Sequence, residues 1–164
     1  HLNAAFHSAK RGEPADPPII EAIIPSALDP TLTDTPGHHV MSFLCKYMPY
    51  DLSGGRSWDD EKGRIVQGIF SYVERFIPRL RDITVGYQCL TPLDLERMLG
   101  MTRGDICHGR LEPDQLFNMR PHPDAAQYAT PVTGLYLCGS GAHPGGGVTG
   151  APGHNAARRI LKDA

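Results

Sequence analysis

Seven glycines between positions 139 and 153 are the residues of this chain best suited to holding a ligand. Glycine has no side chain and leaves the backbone open to close approach. An apolar run at 135–138 precedes them, and a helix is predicted to begin near Thr149 or Gly150. The free N–H groups and the dipole at such a helix start favour an anion or an electron-rich ring edge. The alternative is a glycine-rich surface turn. The seven are Gly139, Gly141, Gly145, Gly146, Gly147, Gly150 and Gly153.

The spacing of these glycines argues against two common phosphate-binding motifs. Gly145, Gly147 and Gly150 match the G-x-G-x-x-G pattern, but several residues separate them from the apolar run. No second strand follows that could complete a βαβ unit. No glycine is followed by the Lys-Ser/Thr pair of a P-loop. We therefore do not expect the first nucleotide-binding turn of a Rossmann domain.

Two ionisable residues near the glycines have competing interpretations. His143 lies inside the loop, where it could bond a cofactor, transfer a proton, or only fix a turn. Arg120 could pair with a cofactor phosphate or an acidic substrate, or form a structural salt bridge. The eight histidines lack the spacing of metal ligands, and no metal site is predicted.

The four cysteines are far apart, and no pair forms a C-x-x-C motif. We expect them to be reduced and mostly buried, with neither a redox dithiol nor a zinc site. No Ser-His-Asp order or nucleophile elbow is present, so the catalytic residues are unknown at this point. The cysteines are Cys45, Cys89, Cys107 and Cys138.

Alternating and apolar patterns predict strands at 19–24, 40–48 and 83–89, in addition to the buried strand at 135–138. In the second of these, four alternating residues are expected to share one face: Met41, Phe43, Cys45 and Tyr47.

Two helices are predicted in the same region. Ser57 is expected to cap the first, whose apolar stripe covers 65–77 and which Pro78 ends or kinks. The acidic residues at 59–61 are assigned to its first turn rather than to catalysis. The second runs from the cap Thr91 to Gly100. Residues 104–131 are predicted to be a long loop with one helical turn near 113–117. This order favours an α+β domain with an antiparallel or mixed sheet.

Composition restricts the class of protein. The chain has 164 residues, enough for one modest domain, and its net charge of −2 argues against a nucleic-acid partner. No apolar stretch approaches the roughly 20 residues of a transmembrane helix. The 18 glycines and 15 prolines indicate many turns, since the apolar fraction of 40% is too high for disorder.

Three groups of residues carry a resemblance to a known family. They are Gly139-Ser140-Gly141, the run HPGGGV at 143–148 and the run GAPGHN at 150–155; the upstream runs IPSALDP at 24–30 and DQLFNMRP at 114–121 agree. The chain resembles the C-terminal part of FAD-dependent oxidoreductases of the amine oxidase and phytoene desaturase type. The resemblance covers residue 10 to the end of the chain.

The resemblance implies a fold and an FAD site. The fold would be an α+β fragment of an α/β flavoenzyme, combining a substrate-domain sheet with the last strand and helix of a Rossmann-like FAD-binding domain. Residues 10–125 would belong to the substrate-binding domain and 126–164 to the FAD-binding domain. Many relatives have an acidic residue where this chain has Ser140. The implied cofactor-binding residues are Gly139, Ser140, Gly141, His143, Gly146, Gly147 and Val148.

The resemblance also implies a reaction and partners. The whole protein would oxidise or desaturate a small organic substrate by hydride transfer to FAD, with the N-terminal half of the same protein completing the site. It further implies a mitochondrial location. Two alternatives remain open: a non-catalytic flavoprotein relative with a regulatory or interaction role, and a small binding module that acts alone.

The apolar run at 135–138 generates a prediction about the isolated chain. A buried parallel strand needs neighbours that this chain does not supply, so its apolar edge is expected to be exposed. We expect the isolated 164 residues to aggregate in size-exclusion chromatography. A monodisperse monomer that melts cooperatively would contradict this expectation and favour the small binding module.

Overall fold

An antiparallel strand pair forms the sheet of this protein, in a computed structural model that describes residues 1–164. Strand β1, Ile19–Ile23, pairs with β2, Ser42–Lys46, and Ile19 lies opposite Lys46. Alternate residues of β2 are half-buried and exposed, as expected for a strand with one covered face. Phe43 and Cys45 share the half-buried face as predicted, and the pairing is antiparallel, one of the two sheet types expected. Strand β2 is shorter than the predicted 40–48, and Met41 and Tyr47 lie outside it.

Helix α2, Trp58–Val73, begins where the sequence predicts. The Ser57 hydroxyl accepts a hydrogen bond from the Asp60 N–H at 3.2 Å, and three acidic residues occupy the first turn. Trp58 is buried, and its Nε1–H donates to the carbonyls of Pro49 and Tyr50 at 3.0 Å each. The predicted extent is wrong at the other end, because the helix stops at Val73, well before Pro78, and Phe76 is 68% exposed.

The predicted strand at 83–89 is also wrong. A helical turn α3, Leu80–Ile83, occupies its start, and the residues up to α4 have no regular structure. The alternating pattern is present, but this segment pairs with neither strand of the two-stranded sheet, so it forms no strand. Val85 is 87% exposed, and the Tyr87 ring instead packs edge-on against Phe70 at 5.4 Å.

Helix α4, Pro92–Leu99, has the predicted cap and stop. The Asp94 N–H donates to Thr91 Oγ1 at 3.1 Å, and the Thr91 N–H donates to the Asp94 carboxylate at 2.9 Å, a reciprocal capping pair. Gly100 follows with a φ of +66°, a conformation that glycine adopts at low cost. Helix α1, Leu2–Lys10, was not predicted, because its apolar pattern is weak and buries only Ala5.

The rest of the chain is mostly irregular. Short 3₁₀ turns cover Pro113–Gln115, Phe117–Met119 and Pro123–Ala125, where one helical turn was predicted. The predicted strand at 135–138 is reduced to a single antiparallel bridge between Ala129 and Tyr136. The parallel neighbours that it would need are not in this chain, and the Rossmann-like part of the expected fold is not seen. The last element is α5, Ala151–Asp163, which starts where predicted.

The chain divides into two compact units, His1–Asp94 and Leu95–Ala164. The first holds the sheet and α2; the second holds the glycine-rich segment and α5. The assignment of 10–125 to a substrate-binding domain and 126–164 to an FAD-binding domain concerns a longer protein and stays a prediction. No helix in residues 1–164 combines the length and apolar character needed to cross a membrane.

Asp94 is predicted to make the first unit sensitive to acid. Its carboxylate accepts hydrogen bonds from Lys62 Nζ at 2.8 Å and from the Thr91 N–H and hydroxyl at 2.9 Å each. These contacts, that of Lys62 first, lower the pKa of Asp94 to about 2. A carboxylate with a lowered pKa stabilises the fold above its ordinary pKa, and this stabilisation disappears as pH falls through the lowered value.

We therefore expect Asp94→Asn to lower the free energy of unfolding at pH 7 by about 1–2 kcal/mol. The variant should also lose less stability than the wild type between about pH 4 and pH 2. Urea titrations of the full-length protein at pH 7 and pH 3 measure both effects. Asp82→Asn, which breaks an exposed ion pair with Arg79, is the control and should change little. Equal pH slopes for Asp94→Asn and wild type would contradict the assignment.

Candidate functional site

The glycine-rich loop, defined here as residues 139–150, lies between the 135–138 segment and α5. Two backbone hydrogen bonds fold its first half, from the Ala142 N–H to the Gly139 carbonyl at 2.9 Å and from the Gly145 N–H to the Ala142 carbonyl at 2.8 Å. Gly150, with a φ of +71°, ends the loop as the N-cap of α5. The loop is therefore an ordered turn that leads directly into a helix.

The segment before the loop is held against α5. The Tyr136 hydroxyl donates to the Asp163 carboxylate at 3.0 Å, and Arg159 Nε donates to the same carboxylate at 2.8 Å. The hydrogen bond to Asp163 raises the pKa of Tyr136, and that from Arg159 lowers the pKa of Asp163. Both ends of the loop are thus fixed to one helix.

A small core supports the loop from below. Tyr128, Ala142 and Ala156 are buried together, with Leu137 packed against them. The Tyr128 hydroxyl donates to the His143 carbonyl at 3.0 Å and accepts from Asn155 Nδ2 at 2.8 Å. This hydrogen-bond chain connects α5 to the middle of the loop. The sequence analysis missed the role of Tyr128, whose only signal is a tyrosine among the small residues of 125–130.

The predicted cofactor-binding residues lie together on this loop. Gly139, Gly146, Gly147 and Val148 are exposed, and the three others are half-buried: Ser140, Gly141 and His143. A Cβ added at Gly139 or Gly141 would meet no atom within 4 Å. No hydrogen bond within the chain uses the N–H groups of Gly141, Gly146 or Gly147. The bare and open backbone fits the close approach of a cofactor.

Val148 is the most unusual residue of the loop. Its φ is +55°, a region that β-branched residues avoid, and its side chain is fully exposed. The neighbouring Gly147 also has a positive φ, +119°. Strain and apolar exposure at one residue are typical of positions that contact a ligand.

The start of α5 offers fewer free donors than predicted. The Ala151 N–H donates to the Thr149 hydroxyl at 3.2 Å, and Pro152 has no N–H. No acidic residue lies in the first turn, so the positive end of the helix dipole is not neutralised there. The open donors are in the glycine-rich loop itself rather than in the helix.

Arg120 does not form the predicted structural salt bridge, and it is not open to a phosphate or a substrate. Its side chain is 1% exposed, and it donates to the carbonyls of Ser140, Cys107, His108 and Arg110. None of the ion pairs in the chain includes it. The residue is therefore a buried cation that binds backbone carbonyls, one of them in the glycine-rich loop.

An open pocket of about 460 Å³ borders the loop. The Phe117 and His143 rings contact each other there, with centroids 5.4 Å apart and planes tilted by 38°. Asn118, Gln127 and Asn155 add polar groups to its lining. His143 thus faces a space with aromatic and amide partners, which is the setting that a proton-transfer or binding role requires.

All four cysteines are free, but the expectation that they are mostly buried is wrong. Cys138 is exposed, and the other three are half-buried. Burial raises the pKa of the Cys45 thiol to about 11, which makes it a poor nucleophile. Within residues 1–164, no group of three or more His, Cys, Asp or Glu residues gathers in a geometry that could hold a metal ion.

Comparison with known proteins confirms the resemblance seen in the sequence. The chain is 48% identical, over 99% of its length, to rat pyridine nucleotide-disulfide oxidoreductase domain-containing protein 2. It is 34% identical over 71% of its length to one of the limonene dehydrogenase subunits of Castellaniella defragrans, and 30% identical over 65% to a lycopene-forming phytoene desaturase of Pantoea ananas.

The chain spans only part of each of these relatives. It covers 28% of the rat protein and 21% of each of the other two. The match to the rat protein corresponds to a C-terminal part. No protein-family model and no solved structure matches the chain.

The geometry of the loop predicts that replacing Gly145 lowers the stability of the second unit. Its φ is +98°, and an added Cβ would lie 3.2 Å from Leu111 Cδ2 and 3.7 Å from Arg120 Nε. We expect Gly145→Ala to destabilise the second unit by about 1–3 kcal/mol. Gly146→Ala is the matched control, because Gly146 has no positive φ and its added Cβ would make only an ordinary contact at 3.9 Å with Ser140. Equal melting temperatures of the two variants of the full-length protein in differential scanning fluorimetry would contradict the prediction.

Proposed function

We propose that this chain is part of an FAD-dependent oxidoreductase. The proposal is supported by matches to longer proteins: 99% of the chain matches one with an oxidoreductase name, 71% one with a dehydrogenase name and 65% one with a desaturase name. These names support an oxidoreductase role in general terms. The finer proposal is that the whole protein oxidises or desaturates a small organic substrate by hydride transfer to FAD.

The structure of the glycine-rich loop supports FAD as the cofactor. Its backbone is ordered and exposed, and three of its glycine N–H groups are unpaired. The positive end of α5 follows it without an acidic residue. Such a surface favours oxygen-rich and electron-rich groups, and both occur in FAD: its phosphates and ribityl hydroxyls, and the pyrimidine edge of its ring.

Positions matched to the family give each loop residue a role. Gly139 and Ser140 would lie beside the ribityl chain and pyrophosphate, and Gly146, Gly147 and Val148 beside the pyrimidine edge. Ser140 can donate or accept one hydrogen bond but cannot replace a carboxylate. Gly141 completes the bare turn between these groups.

Bound FAD would supply the hydride acceptor, and the residues of this chain would bind and orient it. The unpaired loop N–H groups would stabilise negative charge at the ring edge. His143, held through its carbonyl by Tyr128, would present its imidazole to the pocket beside Phe117, where it can hold or move a proton.

The proposed function requires partners outside this chain. The N-terminal half of the same protein would supply the remainder of the FAD site and of the sheets, and no nucleic acid is involved. A mitochondrial location stays a prediction from the resemblance.

Substitution of an open glycine tests the FAD site in the full-length protein that contains this chain. Gly139 has no positive φ, and an added Cβ would meet no atom within 4 Å, so the chain itself leaves room at this position. We expect Gly139→Val to weaken FAD binding at least tenfold with an unchanged melting temperature, because the side chain would occupy the position of the cofactor. Gly86→Val, equally open and in the other unit, is the matched control.

Flavin absorbance and chromatography of the released cofactor measure this effect. Wild-type protein that neither copurifies with FAD nor binds added FAD would overturn the proposal. Bound FAD that no candidate amine, terpene or polyene reduces under anaerobic conditions would favour the non-catalytic alternative. The loop offers no assignable nucleophile and no paired carboxylates, so the test includes the non-catalytic alternative.

A further inference from the structure

We propose that Arg120 is a positioning residue for the flavin. It orients the backbone of the glycine-rich loop and places a fixed positive charge behind it, and this charge favours the reduced, anionic form of the bound ring. The inference rests on the proposed function, and it concerns a residue that would not touch the cofactor.

The contacts of the guanidinium define its place. Arg120 Nε and Nη2 both donate to the Ser140 carbonyl, at 3.1 and 2.8 Å, in a two-pronged contact. Nη2 also donates to the Cys107 and His108 carbonyls at 2.8 and 3.2 Å, and Nη1 donates to the Arg110 carbonyl at 3.1 Å. Gly145 lies against the same group, since its added Cβ would be 3.7 Å from Nε. The guanidinium thus lies behind both the start and the middle of the loop.

The contact with Ser140 determines the direction of an N–H group. The carbonyl and the following N–H of a trans peptide point in opposite directions. Because the Ser140 carbonyl points at Arg120, the Gly141 N–H points away from it, and that N–H has no partner within the chain. Arg120 therefore turns this donor toward a ligand on the far side of the peptide.

The charge of Arg120 is buried without a carboxylate to neutralise it. Carbonyl dipoles satisfy its donors, but the net positive charge remains, and a buried charge acts over a longer distance than an exposed one. Arg110 is the contrasting case, because its side chain is exposed and paired with Glu112 and Asp114. A cation kept unpaired and almost completely buried is costly unless an anion balances it in the assembled protein.

The experiment compares Arg120→Gln, Arg120→Lys and the control Arg110→Gln in the full-length flavoprotein. The FAD dissociation constant is measured by fluorescence and the midpoint potential by a reductive titration with a reference dye. We expect Arg120→Gln to bind FAD at least tenfold more weakly and to shift the potential to more negative values. Arg120→Lys keeps the charge but loses the two-pronged contact, so it should bind FAD more weakly at nearly the wild-type potential. Arg110→Gln should keep the FAD dissociation constant within twofold of the wild-type value and leave the midpoint potential unchanged.

Each outcome decides the inference. A purely structural role would lower the melting temperature of Arg120→Gln but leave the potential of its bound flavin unchanged, and that result overturns the electrostatic role. If Arg120→Gln retains no FAD, Arg120→Lys decides: a wild-type potential with weaker binding supports the inference, and a shifted potential or no bound FAD overturns it. If neither variant folds, Arg120 is a folding residue and the inference is rejected. Wild-type protein without FAD is a separate result, because it removes the proposed function before any variant is compared.

Discussion

The contact between the buried Arg120 guanidinium and four backbone carbonyls is the interaction on which the second unit depends. From Gly100 to Gly150 this unit has no helix longer than a 3₁₀ turn and only one isolated bridge. Turns satisfy part of this irregular backbone, and a side chain with several donors in one plane satisfies carbonyls that no backbone N–H reaches. Arg120 performs this role for segments that lie 10 to 20 residues away in sequence.

The two units solve the same problem in different ways. In the first, the strand pair and α2 satisfy the backbone by repetition, and the Trp58 side chain closes the turn before the helix with its single donor. In the second, side chains add to the turn hydrogen bonds of the backbone: Arg120 and Tyr128 donate to loop carbonyls, Asn155 donates to Tyr128, and Tyr136 pairs with Asp163 before the loop. A loop held by side chains keeps its own N–H groups available, which suits a binding surface better than a packed sheet does.

Local chemistry explains which features could be predicted from the sequence. The caps Ser57 and Thr91 were predicted correctly because each acts on residues within one turn of itself. The strands at 83–89 and 135–138 were not, because an alternating or apolar pattern defines a strand only when a neighbour is present to pair with it. The carbonyl partners of Arg120 could not be predicted, since nothing in the residue types of Cys107, His108 or Ser140 marks their backbone oxygens. The loop residues were predicted as a cofactor site from their glycine density and from the resemblance, and that role stays a prediction.

The hydrogen-bond chain from Asn155 through Tyr128 to the His143 carbonyl couples the position of α5 to that of the loop. Both links are short and directional, so a rotation of α5 about its axis would pull the tyrosine hydroxyl and shift the His143 backbone in the same movement. A ligand that displaced the His143 backbone would therefore also strain the hydrogen bonds that attach this tyrosine to α5, the helix that Tyr136 contacts at Asp163.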